Sequence, residues 1–213
     1  MLPIESIYAA GASLLLFGAG GHGRVVADAA LLGKKWLHIA ASDRNPLVCS
    51  GELLPGISLL PVQLAESLNL PVHIAIGNNL ARLHEAQLWG HDRLISVIHP
   101  ASMVSHFSSV AAGCYVAAGA VIGPGASIGV GVIINHGAVV DHDAQVGAFS
   151  HIAPNASLGG GVTIGQRVLV GAGAVVLPSL MIADDVVVGA GAVVTAHLAE
   201  PGSYAGIPAR KIK

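Results

Sequence analysis

The sequence predicts an α/β domain, half of a dinucleotide-binding fold, followed by an all-β parallel β-helix of hexapeptide repeats. Three observations predict it. The turn "GAGGHG" (18–23) sits between an apolar run and a helical pattern. From Ile98 to Val194, seventeen aliphatic residues recur every six positions without an insertion. Charge nearly vanishes in the second half, where Leu94 to Val140 holds no Asp, Glu, Lys or Arg.

Residues 1–12 are expected to be a lead or linker, with a strand or helix packed on the first domain as the equal alternative. Their one charge is Glu5, and the natural protein is expected to continue upstream into another enzyme of a glycan pathway. Residues 13–96 form the α/β, Rossmann-like domain. "LLLF" (14–17) reads as a strand and Gly18, Gly20 and Gly23 satisfy G-x-G-x-x-G. "RVVADAALL" (24–32) reads as a helix, and "LHIAASD" as a second strand ending at Asp43, twenty residues past Gly23. A third strand at 72–76 leads into Gly77, Asn78 and Asn79. Glycines there let the backbone approach a phosphate at a helix N-terminus. With three strands, the domain suits a mononucleotide such as the UDP of a sugar nucleotide rather than NAD.

Residues 97–196 form the β-helix. The sixes begin Ile98, Val104, Val110 and Val116 and end Val188, Val194; four residues after each, a small or aliphatic side chain follows, from Ser102 to Ala192. Neither a 3.6 nor a 2.0 period gives this pattern. Three six-residue faces make an 18-residue coil, and coils stack at about 4.8 Å. Residues 197–213 form a tail, "GSYAGIPARKIK" at its end.

Composition narrows the function. A net charge of −2 with 10% charged residues argues against nucleic acid. Uncharged runs here are rich in Gly, Ala and Ser rather than in Leu and Ile, so a soluble protein is expected. The two cysteines, Cys49 and Cys114, lack metal or disulfide spacing and point to a cytoplasmic setting.

Residues 98–194 contain five charged side chains, and two of them, Asp141 and Asp143, flank His142. With Val140 pointing inward, His142 lies outside near a corner. An imidazole beside a carboxylate is suited to general-base work near neutral pH.

The two halves together resemble one family, the bacterial sugar-nucleotide acetyltransferases of the hexapeptide-repeat superfamily. Its members include UDP-4-amino-sugar N-acetyltransferases of the bacillosamine pathway of protein glycosylation and sialic acid O-acetyltransferase-like proteins. "GAGGHG", "AIGNN", "NHGAVVDHD", "GAFSHIAP" and "PARKI" carry the resemblance along nearly the whole chain. It implies a left-handed β-helix, against the usual crossover hand, and a homotrimer with acetyl-CoA in grooves between prisms. It implies acetyl-CoA-dependent N-acetylation of the 4-amino group of a UDP-linked amino-deoxy sugar, as in UDP-N-acetylbacillosamine synthesis, by direct attack. The alternatives are a sialic acid hydroxyl or a GDP-linked amino sugar. The resemblance makes His142 the base and Asp143 its partner, with Asp141 as the other candidate for that support. It assigns Gly20, Gly21, His22, Ser42, Asp43 and Gly77 to the nucleotide sugar and Asn135 to the acceptor amine. His151, Ala172 and Ala190 would contact acetyl-CoA, and Arg210 and Lys211 would meet a CoA phosphate. No metal is implied, and a membrane glycosyltransferase of the same pathway is the expected partner or fusion.

Three other classes have specific objections. In a β-helical zinc enzyme His106 and His142 would stack two coils apart, about 9.6 Å, and the position five after His142 is Gly147. A non-catalytic binder leaves the Asp-His-Asp unexplained. An NAD reductase rests on the glycine motif alone.

Overall fold

The structure, a computed structural model, describes residues 12–212. The expected lead therefore lies almost wholly outside the described residues. The chain divides into two compact units between Pro100 and Ala101.

The first unit is a five-stranded sheet. Its strands are β1 (Ser13–Phe17), β2 (His38–Ser42), β3 (Glu52–Leu54), β4 (Ile57–Leu59) and β5 (Val72–Ile74), in the order β3-β4-β2-β1-β5. β1 pairs in parallel with β2 and β5, and β2 with β4; only β3 is antiparallel. The sequence predicts three strands. The structure adds the β3–β4 hairpin, whose three-residue strands are too short to show a period. Leu14, Leu15 and Leu16 are 0% exposed, as an apolar run in a sheet covered on both faces must be. Three helices accompany the sheet: α1 (Gly21–Leu32), α2 (Val62–Ser67) and α3 (Asn79–Trp89). α1 starts three residues earlier than expected, inside the glycine turn.

The second unit is a parallel β-helix with two-residue strands on three faces. Face I stacks Met103–Val104, Val121–Ile122, Val139–Val140, Ser157–Leu158, Val175–Val176 and Val193–Val194. Face II stacks Ser109–Val110, Ser127–Ile128, Gln145–Val146, Thr163–Ile164 and Met181–Ile182. Face III includes Tyr115–Val116, Ile133–Ile134, His151–Ile152, Leu169–Val170 and Val186–Val188, and the tail strands Gly202–Ala205 and Arg210–Lys211 close it. Each strand pairs in register with the one eighteen residues on, as Val139 with Ser157. The second residue of each strand points inward, so Val140, Ile152 and Leu158 are 0% exposed. The residue four later, such as Ala138 or Ala144, fills the narrow corner at 0% exposure. The ladder's first member departs from this: Ile98 falls in the first unit and is 43% exposed.

Ile152 packs within this ladder. Ile152→Ala is expected to destabilise the protein by about 2–5 kcal/mol in a denaturant titration. A loss of less than about 1 kcal/mol would mean the inward aliphatics are not the structural core.

Candidate active site

The Asp-His-Asp run occupies the turn between faces I and II. Asp143 adopts φ 58° there, a left-handed conformation that Asp tolerates better than most residues. One coil earlier the same corner position is Gly125, where a Cβ would strike the Asp143 carboxylate. One coil later, Gly160 lies directly under the His142 ring, and any Cβ there would collide with its Nε2 and Cε1 atoms. The neighbouring coils thus leave the space that the three polar side chains fill.

The two carboxylates beside His142 make different contacts. Asp143 Oδ2 lies 2.9 Å from His142 Nδ1, whereas Asp141 Oδ1 accepts a hydrogen bond from the His142 backbone N–H at 2.7 Å. The Nδ1 proton donated to Asp143 leaves the lone pair on Nε2. The hydrogen bond to Asp143, and then the negative charge of Asp141, raise the His142 pKa above its ordinary value. Its side chain remains 58% exposed, so a proton can reach it from outside.

Asn135 and His151 form a second cluster, on face III and at the edge between faces III and I. Asn135 Oδ1 accepts from the His136 N–H, and its Nδ2 lies 3.0 Å from His151 Nε2. An amide nitrogen only donates, so His151 accepts there and carries its proton on Nδ1. Ala172 and Ala190 are exposed along the same edge, each inside a Gly-Ala-Gly turn, eighteen residues apart. Within one chain, the width of face I separates this edge from the edge bearing His142.

Arg210 and Lys211 are exposed on the antiparallel tail strand. Lys211 is bound to Glu200 at 2.8 Å, and Arg210 donates to the Ala209 carbonyl. Cys114 is buried in the core of the second unit, and Cys49 belongs to the first unit.

The first unit builds its own site. The parallel order β4-β2-β1-β5 reverses direction between β1 and β5, which is where open α/β sheets bind ligands. Gly18 takes φ 118°, and a Cβ on it would stand 2.7 Å from the Ala75 carbonyl oxygen. Gly20 caps α1, and beside Gly20, Gly21 and Gly77 there is open space. Asp43 Oδ2 accepts from the Ala19 N–H at 2.8 Å, tying the turn to the end of β2. Ser42 points elsewhere: it is 0% exposed and its hydroxyl donates to the Leu60 carbonyl. His22 is partly exposed at the second residue of α1.

Sequence reading missed two arginines that organise this unit. Arg44 bridges Glu66 at 2.8 Å and Glu85 at 3.0 Å, with its guanidinium over the Phe17 ring. Arg82, in α3, is 1% exposed and donates to the Ile76 and Gly77 carbonyls. The one available signal was that "AIGNN" runs into a helix whose inner face must carry position 82.

Among the described residues, no group of three or more His, Cys, Asp or Glu could hold a metal ion. No described helix is long and apolar enough to cross a membrane.

Comparison with known proteins follows the same division. Residues 13–87 match the PglD N-terminal domain family, and residues 161–196 match the bacterial transferase hexapeptide family. The acetyltransferase domain of PglB from Neisseria gonorrhoeae FA1090 has 31% identity and a TM-score of 0.88, covering 95% of this chain and 100% of that one. It has also been solved with acetyl coenzyme A. PerB from Caulobacter crescentus, solved with CoA and GDP-perosamine, has 33% identity and a TM-score of 0.86, covering 96% and 98%. WeeI from Acinetobacter baumannii AYE, at 22% identity and a TM-score of 0.64, shares the fold. No curated protein sequence matches the chain. A Rossmann-like domain followed by a left-handed β-helix, with this similarity across nearly all of its length, means that the chain belongs to the bacterial sugar acetyltransferases of the hexapeptide-repeat superfamily.

Proposed function

We propose that this enzyme transfers the acetyl group of acetyl-CoA to the 4-amino group of a UDP-linked amino-deoxy sugar, with His142 as general base. The observation that carries this is the His142–Asp143 pair, held at 2.9 Å on a corner whose neighbouring turn one coil on is Gly159-Gly160-Gly161. His142 Nε2 takes a proton from the sugar amine as its nitrogen attacks the thioester carbonyl. The C–S bond then breaks, and the imidazolium returns the proton to the departing CoA sulfur. Asp143 holds the ring in the reactive tautomer and stabilises the imidazolium. The Gly-Ala-Gly turns at 171–173 and 189–191 form a strip without bulky side chains, suited to the extended arm of CoA. A GDP-linked amino sugar is the second reading, favoured by the GDP-perosamine complex of PerB.

A trimer would complete this site. Outward on face I stand Met103, Val121, Val139, Ser157, Val175 and Val193, five of the six apolar, whereas face II shows Ser109, Ser127, Gln145, Thr163 and Met181, four of the five polar. Met103 is 64% and Val175 36% exposed in the single chain. Apolar side chains in such a column favour burial against another surface. With face I turned to a three-fold axis, the edge carrying His142 meets the neighbour's edge carrying Asn135, Ala172 and Ala190. Base and CoA strip, a face apart in one chain, then become neighbours at each of three junctions.

Acetyl-CoA turnover against a panel of UDP- and GDP-linked amino sugars tests the reading. On the accepted sugar, His142→Ala should lower kcat about 10²–10⁴-fold with both substrates still binding. Near-normal turnover would reject His142 as the base. The pH profile should show activity falling as pH drops through the raised His142 pKa, because only the neutral ring accepts a proton. Asp143→Asn removes the main cause of the raise, so its acidic limb should move to lower pH and its plateau should fall. An unmoved limb would show that Asp143 does not tune the base. Val139→Glu with Val175→Glu should give an inactive monomer by light scattering. A fully active trimer from that variant would remove face I from the interface.

A further inference from the structure

Arg82 places a full charge where the sheet reverses direction. It is 1% exposed, and a guanidinium stays protonated at any ordinary pH. Burying such a charge is costly unless every donor finds an acceptor. Three acceptors come from one short segment. Nη1 donates to the Ile76 carbonyl at 2.9 Å and the Gly77 carbonyl at 3.1 Å. Nη2 donates to Asn79 Oδ1 at 2.9 Å. Glu85, one turn further along α3, is engaged instead by Arg44.

These bonds fix which way the segment faces. With the carbonyls of Ile76 and Gly77 drawn down to a buried guanidinium, the outer side of the turn is left to open space at Gly77. Asn78 caps α3 by accepting from the Ala81 N–H, so the turn passes directly into the helix N-terminus. The same segment abuts the glycine turn after β1, since Gly18 packs against Ala75 and Ile76. Arg82 therefore braces one wall of the crevice between β1 and β5, and the Asp43–Ala19 bond braces the other. Its charge is also felt in the sheet: His73 is pushed down to about 4, chiefly by burial, with Arg82 adding to the effect.

We propose that Arg82 is a positioning residue for the nucleotide sugar, holding the Ile76–Asn79 turn in the shape that receives the diphosphate-linked substrate. This rests on the proposed function of the first unit. A planar fork bridges three acceptors; the single ammonium of lysine cannot hold the same geometry, although it keeps the charge. The role is thus separable from charge alone and from the chemistry at His142.

The experiment compares wild type, Arg82→Lys and Arg82→Met by steady-state kinetics, by calorimetry with UDP and GDP, and by thermal melting. Arg82→Lys should raise the nucleotide-sugar KM and weaken nucleotide binding by about tenfold, with kcat and the acetyl-CoA KM within twofold of wild type. Arg82→Met should do the same or more. Should Arg82→Met fail to fold, Asn79→Ala removes one of the three acceptors and should weaken the nucleotide side alone by a smaller factor. Unchanged nucleotide binding in a folded Arg82→Lys, or an equal loss on both substrates that follows the melting temperature, would overturn the proposal. Wild type that binds a nucleoside diphosphate but acetylates no nucleotide-linked sugar would refute the proposed function, while the binding comparison would still decide the role of Arg82. Wild type that binds neither nucleotide would overturn the role itself.

Discussion

Hydrogen bonding between successive coils, whose equivalent residues lie eighteen positions apart, is the constraint on which the second unit rests. Val121 donates to the Ala138 carbonyl and Gly123 to the Val140 carbonyl, and the pattern repeats along the prism with bonds near 2.9 Å. Every residue is thereby stacked on its equivalent in the next coil. The inward column must be aliphatic and uniform, because a wrong size in one layer presses on the layers either side. The corner column must turn sharply, which is why φ is positive at Gly125, Asp143, Gly161 and Ser179. Charge has no place inside such a column, so the few charged residues project from corners.

That same stacking explains why a hydrogen-bonded polar pair can sit on so plain a scaffold. A corner residue on a β-helix has two fixed neighbours, one above and one below. At His142 these neighbours are Pro124 and Gly160, and on the Gly160 side the ring meets backbone rather than a side chain. Asp143 reaches Nδ1 because its left-handed backbone turns its carboxylate back along the chain. The pair is exposed, so its strength comes from contact geometry rather than from a dry pocket. A partner surface would supply the exclusion of water that a single prism lacks.

The first unit works by the opposite means. Its crevice is shaped by polar groups that are buried or half-buried. Arg82 holds the Gly77 turn from beneath, Asp43 holds the Gly18–Gly21 turn from the side, and Ser42 ties β2 to Leu60. Buried polar groups that are fully bonded specify one arrangement, since any shift leaves a costly orphan. Here they fix backbone turns, which are otherwise the mobile part of an α/β domain.

Sequence alone determined the β-helix, its period and the inward positions, because a stacked column repeats one physical demand at every sixth residue. It also determined the glycine turn and singled out His142, since a charged cluster in an uncharged repeat has no packing reason to exist. It left the hairpin Glu52–Leu54 and Ile57–Leu59 unseen, the strands being shorter than any readable period. Other features were decided only in three dimensions. Asp143 rather than Asp141 reaches the ring, although both are adjacent to it in the chain, because the corner puts one in a left-handed turn and not the other. Ser42, the last residue of β2, faces inward, while Asp43, just past the strand end, faces the glycine turn. Arg82, an ordinary helix residue in the sequence, is buried because α3 turns that face onto the end of the sheet. Its partners are carbonyl groups, which every sequence has and no sequence displays.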